Sequence, residues 1–144
     1  MTTPSQASPL RRITRWLWRW APPLLLMASI FYLSHQPDLP HAPDPWLDLL
    51  LKKLGHATEF AVLFLLLWRA WQGERPAGQA LNWAMVATAA YAVSDEWHQS
   101  FVPGRKANLY DVLIDVSGAL LLWRLLRGGG WRDLLRRRDE DLTE

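Results

Sequence analysis

An all-α bundle of four membrane-spanning helices is the fold class this sequence predicts, and three observations predict it. Half of the 144 residues are hydrophobic, and most of them gather in four segments of spanning length; a hydrocarbon core about 30 Å thick takes roughly 20 helical residues. Arginines collect at alternate ends of these segments, and most of the ten tryptophans lie beside them. Basic loops and aromatic belts mark membrane interfaces in this way.

The first span is read over Trp16 to Ser34. Its front is basic and its centre apolar, but no small-residue cleavage site precedes His35, so it is expected to be a retained anchor, with a cleaved or re-entrant segment as the other reading. Pro22 and Pro23 are placed near its first turns, where a missing amide donor costs least. The linker from His35 to Leu51, with Pro37, Pro40, Pro43 and Pro45, reads as an outer loop in which Trp46 to Leu51 form a short interfacial helix and His35 and His41 are solvated.

The second span is read over Lys53 to Trp71, the third over Gln79 to Gln99 after the short turn QGERPAG, and the fourth over Tyr110 to Arg127. Gly128 to Gly130 end the last helix, and WRDLLRRRDEDLTE reads as a surface helix that frays into an acidic tail. The organisation is therefore a basic N-terminus over 1–15, a transmembrane domain over 16–127 and a charged tail over 128–144.

Arg11, Arg12, Arg15 and Arg19 open the first span, Arg69 and Arg75 flank the turn between the second and third, and Arg124, Arg127, Arg132 and Arg136 to Arg138 close the chain. Lys52, Lys53, Arg105 and Lys106 are the basic residues left for the other side. By the positive-inside rule both termini are cytoplasmic, which places the chain in a cytoplasmic (inner) membrane as a multi-pass protein. Trp16, Trp18, Trp20, Trp68, Trp71, Trp83 and Trp123 then share the cytoplasmic interface, while Trp46 and Trp97 mark the outer one.

Composition removes several function classes. The chain has no Cys, hence no disulfide, thiolate ligand or cysteine nucleophile, and a net charge of +2 is too small to point to nucleic acid. Ser94, Ser100 and Ser117 lack the elbow motif of serine hydrolases.

What stands out against this apolar background is SDEWHQSFVPGR, Ser94 to Arg105, at the outer end of the third span. Ionisable groups at membrane depth point to function. Lys53, His56 and Glu59 start the second helix at i, i+3, i+6; Asp95, His98 and Gln99 end the third at i, i+3, i+4, with Tyr91 a turn deeper and Glu96 rotated away. Asp111, Asp115 and Gly118 start the fourth at i, i+4, i+7, and Ser34 closes the first. Four helix ends thus deliver polar groups to one depth, and Gly118 with the alanines of the third helix allows close approach. Counting Glu59, Asp95, Glu96, Asp111 and Asp115 against Lys53, Arg105 and Lys106 leaves a formal deficit of two positive charges.

The blocks KLGHATEF, SDEWHQSFVPGR and DVLIDVSGAL resemble the signature of the VanZ-like membrane proteins, over Lys53 to Leu120. The resemblance implies a multispanning bacterial membrane protein, a link to low-level teicoplanin resistance, and Lys53, His56, Glu96, Gln99, Arg105, Asp111 and Asp115 as characteristic positions. Nothing in these residues is a nucleotide or coenzyme A signature, so no cofactor is expected.

Several readings of the cluster stand side by side. As a structural network, Arg105 folds back onto Asp111 or Glu96 as a bidentate clamp, and Asp111, one turn from Asp115 and sharing a cation with it, is expected to matter more to stability. As a binding site, Lys53, Gln99, Arg105, Asp111 and Asp115 hold a membrane lipid or lipid-linked envelope precursor. As an enzyme, His56 or Glu96 is the general base and Arg105 with Lys53 clamps a phosphate on a lipid-linked substrate. A metal held by His56, Glu96, His98 and an aspartate is a further alternative. Ion or proton transport would need polar residues through the whole bundle, and the stretches from Phe64 to Trp68 and from Ala119 to Trp123 are apolar.

Overall fold

The computed structural model describes residues 9–36, 42–105 and 108–129. His41, Lys106 and the tail expected after Gly129 lie outside the described residues. The chain forms four helices, α1 (Pro9–Ser34), α2 (Pro45–Trp71), α3 (Ala77–Gln99) and α4 (Leu109–Arg127), and the described residues contain no strand. The all-α architecture is as expected, all four helices end where expected and α3 and α4 start within two residues of expectation; α1 and α2 start earlier.

Helix α1 starts at Pro9, so Pro22 and Pro23 lie in its interior rather than in its first turns. A proline has no amide hydrogen and leaves the carbonyl four residues back without its helical donor. For Pro22 that carbonyl is Trp18 O, and Arg69 Nη2 donates to it at 2.8 Å. The acceptor released by the proline becomes a tie between α1 and α2.

Helix α2 starts at Pro45, which merges the expected short helix over Trp46 to Leu51 into one continuous element. Asp44 is the cap: its Oδ1 accepts the amides of Trp46 at 2.8 Å and Leu47 at 2.9 Å. Pro45 occupies the first turn, where its fixed φ helps and its missing donor costs nothing. The prolines that read as loop punctuation thus include a helix start.

Helix α2 is central and packs against the other three helices, whereas α1 meets only α2 and α3. Phe60, Leu63, Phe64 and Leu67 form its buried stripe at i, i+3, i+4, i+7. Ala80, Ala84, Thr88 and Ala92 of α3 are buried at four-residue intervals, a ridge small enough for close packing. The Thr88 hydroxyl donates to Ala84 O at 2.8 Å and so brings no unpaired polar group into the core. Between α2 and α4 the approach is closest at Gly118, where a Cβ would stand 2.2 Å from the Ala57 carbonyl oxygen. Only glycine fits there.

Among the described residues no helix is long and apolar enough to cross a membrane. Large apolar side chains nevertheless face outward on every helix, including Leu25, Tyr32, Val62, Val86, Leu113 and Leu121.

Candidate functional site: a polar network at one end of the bundle

The C-termini of α1 and α3 and the N-termini of α2 and α4 meet at one end. Between α2 and α4 the side chains pair as two rungs. Lys53 Nζ lies 2.6 Å from Asp111 Oδ1, and His56 Nδ1 lies 3.2 Å from Asp115 Oδ1. The spacings i, i+3 on α2 and i, i+4 on α4 put both members of each rung on facing sides. Each carboxylate therefore has its own partner from α2.

The rungs differ in burial. Asp115 is 2 % exposed, whereas the side chains of Lys53 and Asp111 are each 37 % exposed. Of the two rungs the buried one is expected to matter more to stability, because a screened pair near the surface contributes little and a buried one is costly to break.

Asp95 centres a second group and is also 2 % exposed. Its Oδ2 accepts from Ser34 Oγ at 2.8 Å and from Gln99 Nε2 at 2.9 Å, and Gln99 Nε2 also reaches Ser34 Oγ at 3.3 Å. One oxygen of Asp95, Oδ1, and one of Asp115, Oδ2, remain buried without a protein partner.

Arg105 reaches this group by a turn that its sequence dictates. In Val102–Pro103–Gly104–Arg105 the Arg105 amide donates to Val102 O at 3.2 Å and Gly104 has φ +85°. Proline at the second position and a positive-φ glycine at the third are the requirements of a type II turn. The side chain then runs back to α1. Nη1 donates to Gln99 Oε1 at 3.2 Å, Nε and Nη2 to Gln36 O at 3.2 and 3.0 Å, and Nη2 to Leu33 O at 3.3 Å. The expected clamp on Asp111 or Glu96 is not formed. Exposed carbonyls at a helix C-terminus attract a cation, and those of α1 are where the turn delivers it.

Glu96 faces the α3–α4 connection. Its Oε1 accepts the backbone amide of Asn108, whose side chain in turn caps α4 by accepting the Tyr110 amide at 3.1 Å. Glu96 thus fastens two helix ends and does not line the cavity described next. His98 is stacked on Phe31, with ring centroids 4.1 Å apart, and its Nε2 is 3.3 Å from His35 Nδ1. His35 is exposed, but it has a ring partner as well as solvent. The four residues weighed as metal ligands do not converge, and among the described residues no three His, Cys, Asp or Glu side chains form such a set.

A cavity of about 160 Å³ opens between α1 and α2, lined by Ile30, Leu33, Ser34, Lys52, Gly55, His56, Glu59 and Arg105. Of the expected site residues it takes His56 and Arg105 directly. Gln99 stands behind Arg105, Asp115 behind His56, and Lys53 with Asp111 forms the neighbouring rung. Glu59 and Ser34 are wall residues that the family signature alone does not mark. Asn108 and the carbonyls of Leu33 and Gln36 were not anticipated; an Asn directly before an apolar helical run is a recognisable cap signal, but nothing local announces which carbonyls an arginine will meet.

No curated protein and no solved structure significantly resembles the chain. The model of the VanZ/LLP1 family matches residues 5–128, which span all four helices and the polar end, and the chain belongs to that family.

Proposed function

We propose that this protein is a multi-pass protein of the bacterial inner membrane, and that the cavity at its polar end binds the anionic head group of an envelope component, a lipid or a lipid-linked glycan precursor. Membrane residence is supported by the way polarity is distributed rather than by mean hydropathy. Ser34, Thr88, Asp95, Glu96, Gln99 and Asp115 lower the apolarity of their helices, yet all are buried, while leucines, valines and aromatics face outward. An apolar exterior of this extent on a monomer marks a surface that water does not cover. The helices have 26, 27, 23 and 19 residues, and at 1.5 Å per residue these lengths suit a hydrocarbon core about 30 Å thick. The basic and tryptophan-rich end faces the cytoplasm and the polar end faces out.

One observation carries the binding reading: Arg105 stands in the cavity wall with only neutral partners. Among the described residues its guanidinium meets an amide oxygen and two carbonyls but no carboxylate. A charge held at the edge of a low-dielectric region without a counter-ion attracts an anion. Any effect on teicoplanin susceptibility would act through the component held here.

His56 favours a second reading, a hydrolase or transferase acting on a lipid-linked phosphate. Asp115 holds its Nδ1, and its Nε2 has no partner among the described residues. A carboxylate-oriented imidazole facing a cavity is the arrangement of a general base. Phosphate release from a lipid-linked phosphate by purified protein, abolished in His56→Asn, would establish the enzyme; retention of the lipid without turnover leaves the binder. If wild-type protein and Arg105→Lys retain the same lipids in native mass spectrometry, neither reading holds and the network is structural. Topology has its own test: alkaline phosphatase fused after Pro103 is active, and after Gly73 inactive.

A further inference from the structure

We propose that the head group taken by this cavity carries a primary ammonium beside its phosphate, so that the ligand is zwitterionic rather than purely anionic. This rests on the reading of Arg105 as the anion site and names the chemistry at the opposite wall.

The observation behind it is Glu59. Its half-buried side chain lines the same cavity as Arg105; His56, one turn back on α2, is an electrostatic neighbour, but among the described residues Glu59 makes no hydrogen bond and no ion pair. Arg105 is also without a carboxylate partner. One cavity thus presents a cation and an anion that leave each other unpaired, which is the charge pattern complementary to a zwitterion.

The surrounding residues narrow the ligand further. Lys52, Gly55, His56 and Glu59 follow one face of α2 over two turns, so Glu59 lies about 10 Å deeper along the axis than Lys52, which is paired with Asp48 at 2.7 Å. Gly55 adds no side chain to the wall, and a Cβ there would meet nothing within 4 Å. The anionic part of a ligand therefore sits toward Arg105 and the cationic part toward Glu59 and Ile30. A purely anionic phosphate would face the Glu59 carboxylate at close quarters in a low-dielectric setting, an unfavourable pairing. A quaternary ammonium is recognised by the faces of Trp, Tyr or Phe, and among the described residues none of these lines the cavity, whose apolar members are Ile30 and Leu33. A primary ammonium has three donors for a carboxylate. The volume of about 160 Å³ suits a small head group, since a cavity of about 150 Å³ accepts a benzene-sized molecule. Phosphoethanolamine, on a lipid or free, has this chemistry.

The test uses the full chain in nanodiscs of phosphatidylcholine doped with phosphatidylethanolamine or phosphatidylglycerol, with retained lipid read by native mass spectrometry. Wild type is expected to retain phosphatidylethanolamine over phosphatidylglycerol by about tenfold, the worth of one charge-assisted hydrogen bond. Glu59→Gln should erase that preference, Glu59→Asp should keep part of it, and Arg105→Lys should weaken both lipids. Wild-type selectivity is itself decisive, so a Glu59→Gln protein that fails to fold does not block the test. Equal retention of the two lipids, or a preference for phosphatidylglycerol, overturns the ammonium site and leaves the anion site standing. Loss of all head-group preference together with indifference to Arg105→Lys overturns both. Free phosphoethanolamine that displaces the lipid supports the chemistry and identifies a soluble ligand; displacement by phosphoglycerol to the same degree overturns it.

Discussion

The two ends of the bundle use similar residues in opposite ways. At the tryptophan-rich end, Trp20 Nε1 donates to Glu74 at 3.1 Å, Trp123 Nε1 to Asn82 at 3.2 Å and Arg19 to Gly73 O at 3.4 Å, all through exposed groups. Arg75 and Arg127 lie over the rings of Trp83 and Trp123, with centroid distances of 5.2 and 4.8 Å. Trp20 and Trp71 meet edge to face at 5.4 Å. Such contacts suit an interface, where an aromatic ring has one apolar and one wet side. At the other end the acids are drawn inward: Asp95 and Asp115 are buried, and each keeps one unpartnered oxygen. A protein that needed only to fasten its helices could do so by the exposed contacts of the first end. Burying carboxylates is costly, and the second end does so beside a cavity.

The largest effect that would break this comparison lies at Gly118. Gly118→Ala places a Cβ against the Ala57 carbonyl, and backbone cannot yield as a flexible side chain does. Helices α2 and α4 must separate, which strains both rungs at once. We expect a loss of about 3 kcal/mol, read as a lowered melting temperature in detergent together with loss of lipid retention. A variant that melts like wild type would show that the α2–α4 approach is looser than described.

Next comes the contrast within the polar end. Asp115→Asn should destabilise by about 2 kcal/mol, because it weakens the hydrogen bond to His56 at a buried site. Asp111→Asn should lose less than about 1 kcal/mol, since its pair with Lys53 is more than one-third exposed. Thermal melts of the two variants side by side give the order, and an equal or reversed order would mean that burial does not set the difference.

At the tryptophan-rich end, Trp20→Phe keeps the ring against Trp71 and loses only the exposed hydrogen bond to Glu74. Its cost is expected to be the smallest, about 0.5 kcal/mol, with lipid retention at the polar end unchanged. A larger loss of stability or of retention would couple the two ends.

How far these features are legible in sequence depends on whether they are local. Helix existence follows from long apolar runs, and the depth of the polar cluster from counting residues along each run. The start of α2 was masked because Pro43 and Pro45 resemble loop residues, although Asp44–Pro45 is also a helix-start signal. Lys53 with Asp111 and His56 with Asp115 share helical faces that spacing allows to be read, but which acid takes which base depends on helix rotation. Arg105 is the clearest limit. Its type II turn is written in Pro103–Gly104, yet its partners at Leu33 and Gln36 lie about 70 residues earlier and are backbone carbonyls, so no side-chain pattern points to them. Glu59 was visible as one of the polar residues at this depth; that it stands unpaired in a cavity wall could come only from the packing of α1 against α2.

The central claim, that the polar end binds an anion through Arg105 while the tryptophan-rich end anchors, is tested most directly by one paired measurement. Wild type, Arg105→Lys and Arg127→Lys are purified in mild detergent, and copurified phospholipid is quantified by native mass spectrometry. Arg105→Lys keeps the charge but gives up the planar fork that spans Gln99 and the carbonyls of Leu33 and Gln36. Arg127→Lys makes the same chemical change where the partner is the Trp123 ring. The account predicts that Arg105→Lys loses at least about 90 % of the specifically bound phospholipid, a tenfold change in affinity being about 1.4 kcal/mol, while Arg127→Lys retains it. Equal retention in all three proteins, or loss in Arg127→Lys alone, would contradict it.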